Sequence, residues 1–387
     1  MRRSSPLFPE LGDDPGDFVS KGVLPSQMIR ELIKKGHISS GPTTPIHETQ
    51  IQPASIDLRL GPVAYRVRAS FLPGPSAKVL TKVEDLLMSE IDLTRPAVFE
   101  RGCVYIVPLL EDLALPPDTS AKGNPKSTTG RLDVFTRLIT DNGKEFERVQ
   151  AGYRGPVFAE VVPRTFAIRV RQGLALGQLR FIRGRPLSPD TDLKKLNRED
   201  WLVYEADDKP SKARIHDGLL VSLNLRPTDG SDIVGYRAKK NAPLIDLERI
   251  DYYDPEEFWE PVRAPATGGI ILNPGDFYIL GSRERLRVPP TFAAEMVAMD
   301  TSLGEFRIHY AGFFDPGFGY GMHDSKGTPA VLEVRAHEVP FVMEDGQLVG
   351  RLIYNRLLEK PDKLYGPEIG STYQRQVLAL SKHFKRW

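Results

Sequence analysis

The chain has 387 residues, which is long enough for two or more domains, and its 40% hydrophobic and 27% charged composition is typical of a folded protein. The formal net charge of +1 gives no global attraction to nucleic acid. No apolar run approaches the ~20 residues that span a bilayer, and residues 1–16 lack the apolar core of a signal peptide. We therefore expect a cytoplasmic protein that binds neither nucleic acid nor membrane.

Residue types that hold transition metals are scarce. Cys103 is the only cysteine, which excludes a disulfide framework and a thiolate zinc site. The seven histidines include neither a His-Glu-x-x-His motif nor a pair at helical spacing. We therefore expect no zinc, and any activation of water to proceed without a tightly held transition metal.

The first elements in chain order are a polar, Pro- and Gly-rich stretch over residues 1–20, predicted to be a flexible tail, and a helix over Pro25–Lys35 that ends at Gly36. Beyond it, short apolar runs alternate with turn residues, and this pattern predicts a mainly β protein with a few short helices. A second short helix is predicted near Asp254–Phe258.

Residues of the first half recur in the second half at a constant distance along the sequence, the distance from Gly102 to Gly275. Chance does not supply this many matches at one offset, so the sequence predicts a tandem duplication of a β-rich unit of about 170 residues. The predicted parts are a tail over 1–20, a first domain over 21–190, a charged linker over 191–214 and a second domain over 215–387. The matches are Gly102 with Gly275, Tyr105 with Tyr278, Pro116-Pro117 with Pro289-Pro290, Glu160 with Glu333, Gly173 with Gly346 and Gly177 with Gly350.

The two copies differ at a segment rich in cations and hydroxyl groups. In the first half, residues 124–131 read NPKSTTGR, a set that can bind an oligophosphate through charge-assisted hydrogen bonds and backbone amides. A solvated turn is the alternative interpretation. The matching second-half segment has Asp300 and Glu305 where Lys126 and Arg131 stand, and these carboxylates would repel phosphate.

The hairpins that follow differ in the opposite sense. The first-half hairpin, residues 134–155, is long and polar, whereas residues 305–321 read EFRIHYAGFFDPGFGYG, with Asp315 before a Pro-Gly turn. This aromatic stretch is either a packed hairpin or a slot for a flat ring. Each half then carries one carboxylate in an apolar strand, Glu160 or Glu333, either at a rim or buried where its pKa would rise toward the range of a general acid–base.

These segments resemble the dCTP deaminase family of the dUTPase-like superfamily, whose domains are small distorted, jelly-roll-like β-barrels. Residues 52–61, QPASIDLRLG, are similar to the family's early Q-P-x-S-x-D-[LV]-R-L-G signature. Residues 126–131, KSTTGR, resemble its R-S-S-x-x-R phosphate motif, with Lys126 replacing an arginine and so losing the bidentate fork.

Three second-half segments complete the resemblance. Residues 309–317 resemble the pyrimidine hairpin, with Phe314 at a normally aliphatic position, and Val331–Glu333 resembles the V-L-E strand that carries the catalytic glutamate. Thr372–Gln376 resembles the C-terminal K-Y-Q-x-Q segment that folds over the nucleotide. The resemblance thus implies two tandem dUTPase-like β-barrel domains.

The resemblance also implies the activity, a metal-free hydrolytic deamination of dCTP to dUTP and ammonia for dUTP and dTTP biosynthesis. Glu333 would be the proton shuttle, with the Ser127 hydroxyl and the Ala311 carbonyl holding the water, and Glu160 is the rival shuttle. Mg²⁺ would be bound with the triphosphate. The implied substrate-binding residues are Lys126, Thr128 and Arg131 for the phosphates, His309, Tyr310 and Gly312 for the base, Phe314 or Phe318 near the sugar, Asp315 at the hairpin turn, and Tyr373 and Gln376 in the lid.

Members of this family are normally homotrimers in which each site takes its phosphate motif from one subunit and its hairpin from the next. Here the first half keeps the phosphate motif and the second keeps the hairpin. We therefore expect one composite site between the halves of a monomer or homo-oligomer, as in the fused dUTPases of herpesviruses. The alternatives are a dUTPase or a bifunctional enzyme that also cleaves dUTP, with Asp315 activating water, and a non-catalytic nucleotide-binding protein.

Overall fold

The computed structural model describes residues 21–184, 186, 189–205, 207–227, 230–266, 268–298, 306–309 (backbone only), 312–320, 326–336, 338–366 and 378–385. Of the chain, 45% is strand and 12% is helix, which confirms the mainly β prediction. Within the described residues, every helix is too short or too polar to cross a bilayer. The tail predicted over residues 1–20 lies outside the described part.

The described helices are short, with at most ten residues each. The predicted first helix is confirmed, since it buries Ile29 and Leu32 on one face and Gly36 follows it with φ +73°. The predicted second helix is also confirmed, and the Asp254 carboxylate caps it by accepting from the Glu256 N–H at 3.0 Å. The helices are α1 (Ser26–Lys34), a 3₁₀ turn (Glu48–Gln50), α2 (Val79–Leu86), α3 (Ser127–Gly130), α4 (Asp190–Glu199) and α5 (Pro255–Phe258).

Most strands of the first half form two curled sheets, and β6 and β12 pair in a third sheet with β17 of the second half. One has the strand order β1-β13-β8-β10 with β3 on β13, and the other has the order β5-β4-β7-β11-β9 with β2 on β7. The strands are β1 (Gly22–Val23), β2 (Ile38–Ser40), β3 (Ile56–Arg59), β4 (Val63–Val67), β5 (Leu87–Asp92), β6 (Ala97–Phe99), β7 (Val104–Ala114), β8 (Thr119–Pro125), β9 (Val134–Thr140), β10 (Arg148–Val149), β11 (Arg154–Pro163), β12 (Ile168–Val170) and β13 (Ala175–Arg183).

The second half forms one large sheet of order β18-β16-β20-β15-β26-β21-β23, in which β14 and β24 also pair with β20, and β22 pairs with β24. A separate pair joins β19 and β25. The strands are β14 (Val203–Tyr204), β15 (Leu219–Asn224), β16 (Ile233–Ala238), β17 (Ile245–Asp246), β18 (Trp259–Arg263), β19 (Gly269–Leu272), β20 (Tyr278–Leu286), β21 (Phe292–Ala298), β22 (Phe306–His309), β23 (Phe313–Phe314), β24 (Thr328–Ala336), β25 (Phe341–Glu344) and β26 (Leu348–Arg356).

The charged stretch expected to be a linker has structure of its own. It contains most of α4 together with β14, and β14 pairs with β20 of the second half. Leu193, Leu202 and Val203 are buried in the second-half core. Hydrophobic burial therefore fixes this segment onto the second half.

The register of the sheets repeats at the same offset as the sequence. Glu160 on β11 lies opposite Ile106 on β7, and Glu333 on β24 lies opposite Ile279 on β20. Because both partners are displaced by the offset that relates the two half-sequences, the two halves place equivalent residues at equivalent sheet positions. Differences in side-chain chemistry at these positions are therefore direct comparisons between the copies.

The two halves share a hydrophobic core. Strand β17 of the second half pairs in parallel with β12 of the first, with Ile245 opposite Ile168. Phe166 contacts Trp259 edge to face, with ring centroids 5.4 Å apart, and Phe258 and Trp259 are buried in the same cluster. This shared core sets the position of the first-half loops relative to the second-half hairpin.

Candidate active site

One cleft is lined by residues of both halves. It brings the predicted phosphate loop, the predicted pyrimidine hairpin and Glu333 together within a single chain. Its walls are Pro125, Lys126, Ser127 and Arg131 from the first half, and Met296, Gly312, Phe313, Phe314, Asp315, Phe318, residues 329–333 and Tyr365 from the second.

The phosphate loop is the turn where β8 runs into α3. The Lys126 N–H donates to the Leu176 carbonyl at 2.9 Å, and the Lys126 carbonyl accepts from the Gly130 N–H at 3.0 Å. The Lys126 ammonium forms an ion pair with Asp57, which belongs to the QPASIDLRLG segment on β3. The early motif therefore orients the loop, and Ser127 at the start of α3 is exposed to the cleft.

Glu333 lies in the middle of β24, between β20 and β22, where the ladder hydrogen bonds satisfy its backbone. The residue is 6% exposed, and burial raises the pKa of its carboxyl well above the usual value near 4.5. Arg131 opposes this rise in pKa and Asp133 adds to it. The raised pKa means that this carboxyl group holds a proton more readily than an exposed glutamate, as a general acid–base requires.

Gly130 contacts this carboxyl group directly. A Cβ atom added at Gly130 would lie 2.5 Å from Glu333 Oε2 and 2.8 Å from Oε1, closer than real Cβ atoms approach. A larger residue at position 130 would therefore force the Glu333 carboxyl group to move away from the first-half loop. The family motif leaves this position unspecified, so the motif comparison did not select Gly130. The glycine itself was the sequence signal, since glycine often occurs where a backbone approaches another group closely.

The hairpin is held from the first half by Arg180, a residue that the sequence interpretation did not select. Arg180 on β13 donates to the Ala294 carbonyl at 2.9 Å, and its guanidinium lies 3.9 Å from the Phe313 ring centroid. It also pairs with the Asp315 carboxylate at 3.4 Å. Burial raises the pKa of Asp315, and Arg180 opposes that shift. An arginine inside the apolar run GQLRF was the sequence sign of a buried ionic contact.

The other wall of the cleft is aromatic. Phe314 and Phe318 meet edge to face with ring centroids 5.0 Å apart, and Phe318 lies 5.6 Å from the Tyr365 ring. The Tyr365 N–H donates to the Pro316 carbonyl at 2.8 Å, which fixes residue 365 beside the hairpin turn. Tyr365 was not predicted, because no motif includes it.

A C-terminal segment, residues 378–385, crosses behind the phosphate loop. The Arg131 guanidinium donates to the Ala379 carbonyl at 2.9 Å, and the Ser381 hydroxyl donates to the Thr128 carbonyl at 2.9 Å. Buried His383 lies 3.0 Å from the same hydroxyl, and burial lowers the pKa of His383 to about 4. Thr128 does not line the cleft with the other predicted loop residues; its carbonyl anchors this segment instead.

Four predicted residues lie outside the described part of the chain: Tyr310, Ala311, Tyr373 and Gln376. His309 is described by its backbone alone, and it pairs in register with Glu333. The backbone of β22 therefore runs beside the backbone of the strand that carries Glu333.

Glu160, the rival shuttle, has different surroundings. It is fully buried and paired with Arg137, whose Nε lies 3.0 Å from Glu160 Oε1. The Arg137 guanidinium in turn lies 3.4 Å from the Phe146 ring centroid. An arginine and a phenylalanine of the long first-half hairpin therefore occupy the space beside Glu160, and Glu160 does not line the cleft.

Comparisons with known proteins agree with this geometry. The model of the 2'-deoxycytidine 5'-triphosphate deaminase N-terminal domain matches residues 20–185, and that of the C-terminal domain matches residues 189–384. A "dCTP deaminase, dUMP-forming" of Halobacterium salinarum is 29% identical over 44% of this chain and 89% of its own length. A "dCTP deaminase" of Haloarcula marismortui is 30% identical over 49% of this chain and 90% of its own.

A solved structure is also similar. The 2'-deoxycytidine 5'-triphosphate deaminase from Agrobacterium tumefaciens superposes with a TM-score of 0.83 at 47% sequence identity, covering 87% of this chain and 99% of that one. Two family models together match nearly the whole chain, and the resemblance in motifs is thereby confirmed. The chain belongs to the dCTP deaminase family.

Proposed function

We propose that the chain is a dCTP deaminase, which hydrolyses the C4 amino group of dCTP to give dUTP and ammonia in a site built from both halves. The observation that carries this proposal is the contact of the Glu333 carboxyl with Gly130 of the phosphate loop, inside a cleft that the aromatic hairpin closes. A base bound against the hairpin and a triphosphate bound at the loop would place C4 beside Glu333. Because one chain supplies both parts, a monomer suffices for the site.

Glu333 carries the chemistry in this proposal. Its carboxylate takes a proton from water as the water attacks C4, and it passes that proton to N3. It then takes the proton of the new C4 hydroxyl and delivers it to the departing amine, so that the C4 carbonyl forms as ammonia leaves. A buried carboxyl with a raised pKa suits this cycle, since it holds a proton more readily than an exposed glutamate before passing it on. The Ser127 hydroxyl and the Ala311 carbonyl orient the water, and no protein-bound metal takes part.

The phosphates bind at the first-half loop. Lys126 and Arg131 supply positive charge, Ser127 adds a hydroxyl group, and the α3 turn adds backbone N–H groups. Mg²⁺ enters with the nucleotide and neutralises phosphate oxygens, since Mg²⁺ is usually bound through substrate phosphates.

The base and sugar bind at the second half. Backbone groups over residues 309–312 read the cytosine edge, and Phe314 and Phe318 pack near the deoxyribose. Asp315, held by Arg180, supplies a polar end to the slot. Tyr373 and Gln376 close over the nucleotide in the family manner. The whole reaction uses a soluble nucleotide, so we place it in the cytoplasm.

A bifunctional enzyme that also converts dUTP to dUMP is the second candidate. It is favoured by the name of the Halobacterium salinarum relative and by Asp315, a carboxylate that lines the cleft. The ion pair with Arg180 argues against it, since it engages the group that would have to activate a water. The deaminase alone is therefore the preferred function.

Measuring the ammonia and the pyrophosphate released from dCTP distinguishes these functions. We expect one ammonia per dCTP consumed and no pyrophosphate; release of both products means the bifunctional enzyme. Glu333→Gln should abolish ammonia release, whereas Glu160→Gln should retain it, because Glu160 lies outside the cleft. Tight dCTP binding by the unaltered protein with no product at all would leave only a nucleotide-binding role.

A further inference from the structure

A second pair of charged residues joins the two halves directly beside the cleft. Asp133 lies two residues after Arg131 of the phosphate loop, and Arg335 lies two residues after Glu333. Arg335 Nε donates to Asp133 Oδ2 at 3.1 Å, and a second guanidinium nitrogen also pairs with that carboxylate. Asp133 is fully buried and Arg335 is 7% exposed, so water does not screen this pair.

Neighbouring groups fix the geometry of the pair. The Thr165 hydroxyl donates to Asp133 Oδ2 at 2.5 Å, and Arg335 also donates to the Gly275 carbonyl at 2.8 Å. Asp133 takes φ +55°, the left-handed region that residues other than glycine seldom adopt. The chain keeps this unfavourable backbone where it places the carboxylate toward the second half.

The pair is in register with the contact between Gly130 and Glu333. Alternate residues of a strand share one face, so β24 presents both Glu333 and Arg335 to the first half. Glu333 meets the loop at Gly130, and Arg335 meets it three residues later at Asp133. At the offset that matches Glu160 with Glu333, the first-half counterpart of Arg335 is the apolar Val162. The ionic contact therefore belongs to the Glu333 side of the duplication alone.

We propose that Asp133 and Arg335 are a positioning pair, which locks β24 against the phosphate loop and so holds the Glu333 carboxyl over Gly130. This inference rests on the proposed catalytic role of Glu333. Loss of either partner leaves an uncompensated buried charge. It also removes the contact in which two guanidinium nitrogens of Arg335 bind the Asp133 carboxylate, so the strand is no longer held against the loop. Neither residue touches the nucleotide; both act through the placement and the charge environment of Glu333.

Removal of Asp133 and removal of Arg335 should change the pKa of Glu333 differently. Asp133 is among the groups that raise the pKa of Glu333, so removing its charge while Arg335 remains lowers that pKa. Removing Arg335 leaves the Asp133 charge in place, so the pKa of Glu333 stays high or rises further. Among the described side chains, the charged groups around the Glu333 carboxyl are Arg131 and Asp133 on the loop, Arg335 on its own strand, and Lys126 and Asp315 across the cleft.

The test measures kcat/KM for dCTP against pH in Asp133→Asn and Arg335→Gln. Both variants should lose about 10–100-fold in kcat, because a displacement of ~1 Å at a catalytic group costs on the order of 10²-fold. The midpoint of the acid limb should fall by about 0.5–1 pH unit in Asp133→Asn, a modest shift for the loss of a nearby charge. In Arg335→Gln the midpoint should stay unchanged or rise.

Arg137→Gln is the control, since it breaks another arginine–carboxylate pair, the one with Glu160 away from the cleft, and should leave the acid limb in place. Near-UV circular dichroism of each variant establishes that it is folded. Equal shifts of the same sign in Asp133→Asn and Arg335→Gln, or no shift in Asp133→Asn, would overturn the inference even with Glu333→Gln inactive. Full activity of Glu333→Gln would instead overturn the proposed function on which the inference rests.

Discussion

Replacement of Gly130 by alanine tests the contact on which the site depends. The added methyl group would lie 2.5 Å from Glu333 Oε2 and 2.8 Å from both Oε1 and Cδ, whereas ordinary contact begins near 3.4 Å. The carboxyl group, the loop or both must therefore move apart by about 0.9 Å, a displacement of the size that lowers enzymatic rates by on the order of 10²-fold. Overpacking of this kind also costs about 1–3 kcal/mol of folding stability.

Steady-state ammonia release from dCTP, together with thermal unfolding, measures both effects. We expect kcat for Gly130→Ala to fall by about 10²-fold, with a smaller change in the KM for dCTP because the phosphate-binding side chains remain. Gly177→Ala is the matched control, since a Cβ there would make only ordinary contacts at 3.6 and 3.9 Å. Wild-type kcat in Gly130→Ala would show that Glu333 does not act from its position against the loop.

Two further predictions concern charges at the cleft. Arg180→Met leaves the buried Asp315 carboxylate without its partner, so the free energy of unfolding should fall by about 3–5 kcal/mol. The KM for dCTP should also rise, because the hairpin shifts. Calorimetry measures the first effect and steady-state kinetics the second. Arg183→Met, which breaks a partly exposed pair with Asp118, should change stability by at most ~1 kcal/mol, and an equal loss in both variants would contradict the role of Arg180. For the unaltered enzyme, activity should fall as pH drops through the pKa of Glu333, because only the ionised carboxylate accepts a proton from water. That pKa is raised, so the acid limb should lie well above pH 4.5, and a midpoint at or below 4.5 would contradict the assignment.

Much of the fold could be predicted because it follows from local patterns. Turn residues between short apolar runs indicated strands, and the constant offset between matching residues predicted a second copy, which the sheets reproduce in register at Glu160 and Glu333. The structure of residues 191–214 was harder to predict, since the many charged residues suggested a linker. Leu193 and Leu202 nevertheless supply enough apolar surface to fix it to the second-half core.

The meeting of loop and hairpin could also be anticipated, because each copy keeps the part that the other lacks. The contacts that hold the two parts together could not, since they join residues more than a hundred positions apart. Arg180 and Asp133 each signal a buried charge, but the sequence does not name their partners, Asp315 and Arg335. Those pairings depend on how the shared core docks the halves.

The central claim is that Arg131 and Glu333 of the same chain complete one site. Mixing two inactive variants, Arg131→Ala and Glu333→Gln, tests it most directly when the chains are unfolded and refolded together so that any subunits can exchange. A site within one chain predicts that the mixture remains as inactive in ammonia release as either variant alone. Recovery of deamination on mixing would show that the two residues meet across different chains, and would contradict the account.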